Sequence, residues 1–133
     1  MIIVDSSVWI DYFNGIGSPE TNKLDALLGI EPLAIGDLIL TEVLQGFRQD
    51  ADHQSAQKLL TSLTVYGMLG AALAIKSADN FRALRKQGIT VRKTADVIIA
   101  TFCIESGNSL LFSDKDFVPF VKHLGLRSVT TSK

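Results

Sequence analysis

Only one cysteine, Cys103, and two histidines, His53 and His123, occur in this 133-residue chain. The lone cysteine excludes an internal disulfide, and its place in the apolar run 97–104 predicts a buried thiol acting as a small hydrophobe. It also points to a reducing, cytoplasmic setting. The histidines stand apart in polar surroundings, so zinc ligation by histidine and cysteine is not expected. No excess of one charge is present: the formal net charge of −1 excludes a globally basic nucleic-acid binder and leaves room only for a local basic patch. No apolar run is long enough to span a bilayer; residues 67–75, the longest nearly apolar stretch, contain two glycines. The apolar start, Met1 to Val4, lacks a basic region and meets Asp5 at once, so it is no signal peptide. Repeats, low-complexity tracts and linkers are missing as well.

What is present fits one compact domain, with 47% hydrophobic and 20% charged residues. Continuous β-branched or apolar runs predict buried strands at 2–4, 32–35, 110–112 and 126–129. Between them lie helical patterns. Ser6 or Ser7 is expected to cap a first helix carrying Val8, Trp9, Tyr12 and Phe13. A break at 14–19 precedes Leu24, Leu27 and Leu28, and Gly29 ends that segment. Asp37 is expected to cap a helix to about residue 47. Ala56, Leu59, Leu60 and Leu63 form a stripe of helical period. A further helix runs over about 70–87, and Thr94 caps one that stops at Gly107. Strands alternating with helices predict an α/β fold, a central, mainly parallel twisted sheet between helical layers. In such sheets function gathers beyond the carboxyl ends of the strands. Asp5 and the pair Ser113-Asp114 sit there.

Of the fourteen acidic residues, most stand among polar neighbours, where a solvated charge is the ordinary condition. Four are embedded in apolar sequence: Asp5, Glu42, Asp96 and Asp114. A lone ionised carboxylate there is unfavourable. Each has a bland role available: Asp96 suits the first turn of a helix, Asp114 can cap the turn after it, and Glu42 can be the exposed member of an amphipathic helix. Together they suggest more. Two carboxylates ~4 Å apart repel by roughly 4 kcal/mol at an effective dielectric of about 20. A cluster therefore calls for a cation, and an all-oxygen donor set selects magnesium or manganese.

These segments resemble a known family. Asp5-Ser6-Ser7-Val8-Trp9-Ile10, Thr41-Glu42-Val43-Leu44-Gln45-Gly46, Asp96-Val97-Ile98-Ile99-Ala100 and Leu110-Leu111-Phe112-Ser113-Asp114-Lys115-Asp116-Phe117 are similar, in order and spacing, to the four motifs of PIN domains. The resemblance covers nearly the whole chain, 1–133 being one PIN domain. Its closest subgroup is the VapC-like toxins of toxin–antitoxin pairs. It implies a three-layer α/β/α sandwich and a Mg2+-dependent endoribonuclease, with Mn2+ as the alternative ion. It also implies a homodimer silenced by a small antitoxin, and no membrane. Carried over, Asp5, Glu42, Asp96 and Asp114 are the catalytic, metal-site acids, and Asp116 is a fifth, ambiguous one. Ser6 stands where the family often has threonine and is expected to supply the hydroxyl that orders the site.

The segment 76–93 carries Lys76, Arg82, Arg85, Lys86, Arg92 and Lys93 against only Asp79. It reads either as a rim gripping RNA phosphates, with Arg85, Arg92 and Lys93 foremost and Arg48 weaker, or as a solvated helix face. Trp9, Phe13 and the leucines of 24–28 and 38–44 are candidates for an antitoxin groove as well as for the core. Other readings stay open: a housekeeping PIN-domain nuclease, or a phosphoreceiver or metal-binding domain. Asp5 followed by two serines, and Asp96 inside a helix, fit the latter two poorly.

Overall fold

The structure, a computed structural model, describes residues 1–131. Ile2–Val4 forms β1, Leu33–Gly36 β2, Thr64–Tyr66 β3 and Ser109–Leu111 β4, all parallel in the order β3-β2-β1-β4. Ser6–Phe13 (α1) and Pro19–Leu27 (α2) connect β1 to β2. Asp37–Leu44 (α3) and Asp50–Thr61 (α4) connect β2 to β3, and Ala71–Lys86 (α5) and Thr94–Ser106 (α6) lead to β4. A 3₁₀ turn, Lys115–Phe117, and Val118–Leu124 (α7) follow.

The chain steps outward from β1 to β3, then returns across the sheet to β4. Right-handed crossovers therefore put α1–α4 on one face and α5–α6 on the other. The expected three-layer α/β/α sandwich is the observed one. The reversal leaves β1 between β2 and β4, which makes the carboxyl ends of β1 and β4 a topological switch point. The strands are short but buried: Ile3, Val4, Ala34, Ile35, Leu110 and Leu111 are fully enclosed with Trp9, Ile39, Leu84, Ile99 and Phe117. Cys103 is buried as expected. Burial, and to a lesser degree Asp5, pushes its thiol up to about 12, so it is inert.

Several boundaries differ from expectation. β3 was not anticipated: it is an edge strand whose Thr64 and Val65 stay exposed, so it lacks the apolar signature of its neighbours. Residues 126–129 were expected to form a strand, yet they contribute a single parallel bridge, Leu110 with Ser128. The Leu110 N–H donates to the Arg127 carbonyl at 2.9 Å and the Val129 N–H to the Leu110 carbonyl at 3.0 Å, while the Leu126 N–H turns to the Phe120 carbonyl at 3.1 Å, so the pairing stops at that bridge. Three helix caps lie one or two residues earlier than the hydroxyl or carboxylate proposed for them. Asp5 rather than Ser6 or Ser7 caps α1, Gly36 precedes α3, and Lys93 precedes α6.

Candidate active site

Asp5 comes off the end of β1 and is only 3% exposed. Its backbone N–H donates to the Leu111 carbonyl at 2.9 Å, which carries the β1–β4 pairing one residue past β1. As the N-cap of α1, its carboxylate folds over the helix start. Oδ2 accepts from the Ser7 hydroxyl at 2.8 Å and the Ser7 N–H at 3.4 Å. The Ser7 hydroxyl is also 3.3 Å from that of Ser113, tying the ends of β1 and β4 together. Ser6, expected to supply the ordering hydroxyl, reaches Asp5 through its backbone N–H. Sequence reasoning missed Ser7, although reading Asp5 as the cap would have set the second helical residue against its carboxylate.

Asp96 lies in the first turn of α6, 5% exposed, where the N–H groups and dipole of the helix favour an anion. Asp114, three residues past β4, serves also as the cap anticipated for it: its Oδ1 accepts from the Asp116 N–H at 2.9 Å. One carboxylate oxygen each from Asp96, Asp114 and Asp116 lies within 4.8 Å of the others. Glu42, half-buried on α3, and Asp5 complete the assembly through their fields. Burial pushes the Asp96 carboxyl up to about 7, with Asp5 and Asp114 adding to it, Lys93 opposing and Glu42 contributing least. Asp5 is likewise raised, mainly by burial, against the hydrogen bonds from Ser7 and Ser6, with Glu42 adding a little. Three of the five acids singled out in the sequence thus share one cluster at the switch point, with Asp5 and Glu42 near enough to bear on Asp96.

Three of their oxygens, Asp5 Oδ1, Glu42 Oε1 and Asp96 Oδ2, are buried without a hydrogen-bond partner. Buried polar atoms are nearly always satisfied, and neighbouring carboxylates repel. A hard divalent cation answers both problems. Oxygens on opposite sides of Mg2+ lie about 4 Å apart, twice a ~2.1 Å bond, so a spread of 4.8 Å closes with small side-chain adjustments. The residues present fit such an ion, and all donors are oxygen.

Of the expected basic rim, Arg92 and Lys93 are beside the cluster. Arg92 Nε and Nη2 each stand 3.3 Å from Asp116 Oδ2, and Lys93 Nζ is 3.9 Å from Asp114 Oδ2. Arg85 is not there. It lies in the last turn of α5 with its guanidinium 5.5 Å from the centre of the Phe81 ring, exposed like Lys76, Arg82 and Lys86 of the same helix. Trp9, Leu24 and Leu27 are core residues. Phe13 remains accessible, lining a cleft with Ile10, Val43 and Phe47.

The family model described as the PIN domain matches residues 2–120. The chain belongs to the PIN-domain family. This PIN domain is 32% identical over 119 residues to Ribonuclease VapC11 of Mycobacterium tuberculosis, an alignment covering 88% of this chain and 89% of that one. A VapC ribonuclease of Mycobacterium bovis matches equally. Among solved structures, VapBC2 from Rickettsia felis, bound to a DNA fragment from its promoter, superposes with a TM-score of 0.75 at 19% identity, over 97% of this chain and 98% of that one. VapBC-1 from nontypeable Haemophilus influenzae gives 0.74 at 19% identity, over the full length of both chains. These two likenesses show the fold. Among the described residues no helix is long and apolar enough to cross a membrane.

Proposed function

We propose that this PIN domain, residues 1–133, is a metal-dependent endoribonuclease and the toxin of a toxin–antitoxin pair. The observation that carries the reading is the set of buried, unpartnered oxygens of Asp5, Glu42 and Asp96 beside the Asp96–Asp114–Asp116 cluster. Kinship supports it, since the curated relatives are named as ribonucleases. Asp5, Glu42, Asp96, Asp114 and Asp116 would hold one or two Mg2+ ions, or Mn2+ in their place. Bound there, the metal would supply Lewis-acid charge at the scissile phosphate.

The chain's own residues do the rest. Ser7 holds Oδ2 of Asp5, so that Oδ1 keeps one orientation. A carboxylate of the cluster accepts the proton of the attacking water. Displacement in line forms the bond from the water oxygen to phosphorus and breaks the bond to the 3′ oxygen, which takes a proton from solvent and leaves as a hydroxyl; the product carries a 5′-phosphate, and the 2′-hydroxyl of RNA takes no part. Arg92 and Lys93, with Arg85 farther out, bind the backbone. The partner is a small antitoxin, as in the VapBC complexes of similar fold, and the protein acts as a homodimer in the cytoplasm, where its substrate is.

Purified protein incubated with mixed cellular RNA, with and without Mg2+, tests the reading beside Asp5→Asn. Cleavage that needs Mg2+ and disappears in the variant supports it. Equal cleavage by both proteins refutes the assignment of the site.

A further inference from the structure

The loop between α5 and α6 turns at Gly88, φ +83°, is pinned by buried Val91, and then presents Arg92 and Lys93 in succession. Lys93 is fixed to the site by its backbone: its carbonyl accepts from the N–H groups of Asp96 at 3.2 Å and Val97 at 3.4 Å. Both side chains reach back to the acids of the opposite wall. Arg92 engages Asp116 Oδ2 twice, and Lys93 faces Asp114 Oδ2 while Asp114 Oδ1 is occupied by the Asp116 N–H. The two cations thus address carboxylates that share a ligand-sized cluster with Asp96. Their side chains are otherwise 75% and 62% exposed. An exposed ion pair is weak and readily exchanged.

We propose that Arg92 and Lys93 are exchangeable counter-cations of the acid cluster, displaced from Asp116 and Asp114 by the divalent ion and thereby released to the phosphates of RNA. Metal binding and the grip on RNA are coupled through this exchange. The inference rests on the proposed function and adds a coupling to it. A residue that merely binds RNA leaves metal affinity alone when removed. A counter-cation opposes the metal, so its removal tightens metal binding while it weakens RNA binding.

Arg92→Gln, Lys93→Gln and the double variant are titrated with Mn2+ and Mg2+ by calorimetry. Lys58→Gln, on the exposed surface of α4, controls for net charge. Each single variant is expected to bind metal roughly threefold to tenfold tighter, as loss of one nearby positive charge implies, and Lys58→Gln is expected to match wild type. Binding of a labelled mixed-sequence single-stranded RNA is then followed by anisotropy in Ca2+ and in chelator. Wild type gains affinity on adding Ca2+; the double variant binds more weakly and gains less. Asp116→Asn, which unties Arg92, is expected to bind RNA better than wild type in chelator. Unchanged or weaker metal affinity in both single variants overturns the exchange while leaving the nuclease reading intact, provided wild type binds metal. A wild type that takes up no divalent ion overturns both.

Discussion

The Ser7 hydroxyl donates to Oδ2 of Asp5 across 2.8 Å, and it does so at a carboxylate whose other oxygen has no protein partner. One oxygen is therefore held and the other left for chemistry. Hydrogen bonds to charged groups contribute about 1.5–3 kcal/mol. Ser7→Ala is expected to lower kcat for RNA cleavage by roughly tenfold to a hundredfold at saturating Mg2+. Ser6→Ala, which keeps the backbone contact, is expected to stay within about threefold. Initial rates on a defined RNA decide between them, and equal losses refute the distinction between the two serines.

Asp96→Asn removes a buried acid from among Asp5, Asp114 and Glu42. Cleavage is expected to vanish. Thermal stability in divalent-free buffer is expected to hold or rise, because like-charge crowding is relieved. A clear fall in Tm counts against crowding.

The pH dependence follows from the same raised carboxyls. Folded Asp96 keeps its proton up to about pH 7, whereas the unfolded chain releases it near 3.8. Between those limits the folded state binds more protons, so this contribution to stability falls as pH rises. Asp5, also raised, acts with the same sign. Metal-free protein is expected to lose Tm from pH 5 to pH 8, with a shallower slope in Asp96→Asn. Since a metal must compete with the Asp96 proton, added Mg2+ is expected to raise Tm more at pH 8 than at pH 5.

Packing on the far face of the sheet offers a test independent of chemistry. Asn80 Nδ2 on α5 donates at 3.0 Å to Oγ1 of Thr101, which is fully buried on α6. Asn80→Ala leaves that hydroxyl without its donor and is expected to destabilise by about 1–3 kcal/mol. Urea unfolding is expected to show a lower midpoint with an unchanged slope.

The acids were legible in the sequence because charge inside an apolar run is conspicuous whatever the fold. Ile2–Val4 and Leu33–Gly36 were legible for the complementary reason: strands buried on both faces cannot hide their composition. Thr64–Tyr66 was not, since an edge strand needs only half of that burial and its three residues follow the α4 stripe without a break. The pairing of Arg92 with Asp116 was beyond reach for another reason. It joins residues 24 positions apart through a loop whose course depends on where Val91 finds its pocket. Ser7 fell between these cases, since two adjacent serines offer no choice until the helix phase is known.

Gly36 ends β2 with the Met68 thioether occupying the space a Cβ there would need. Met68 in turn is buried, its N–H donating at 3.0 Å to Oδ1 of Asp37, the residue next to Gly36. Neither position can drift alone: a methyl group at 36 collides with Met68, and a shorter residue at 68 opens a void beside a bare glycine. Across descendants of this chain the two sites should therefore change as an epistatic pair, alanine at 36 arriving only after residue 68 has shrunk.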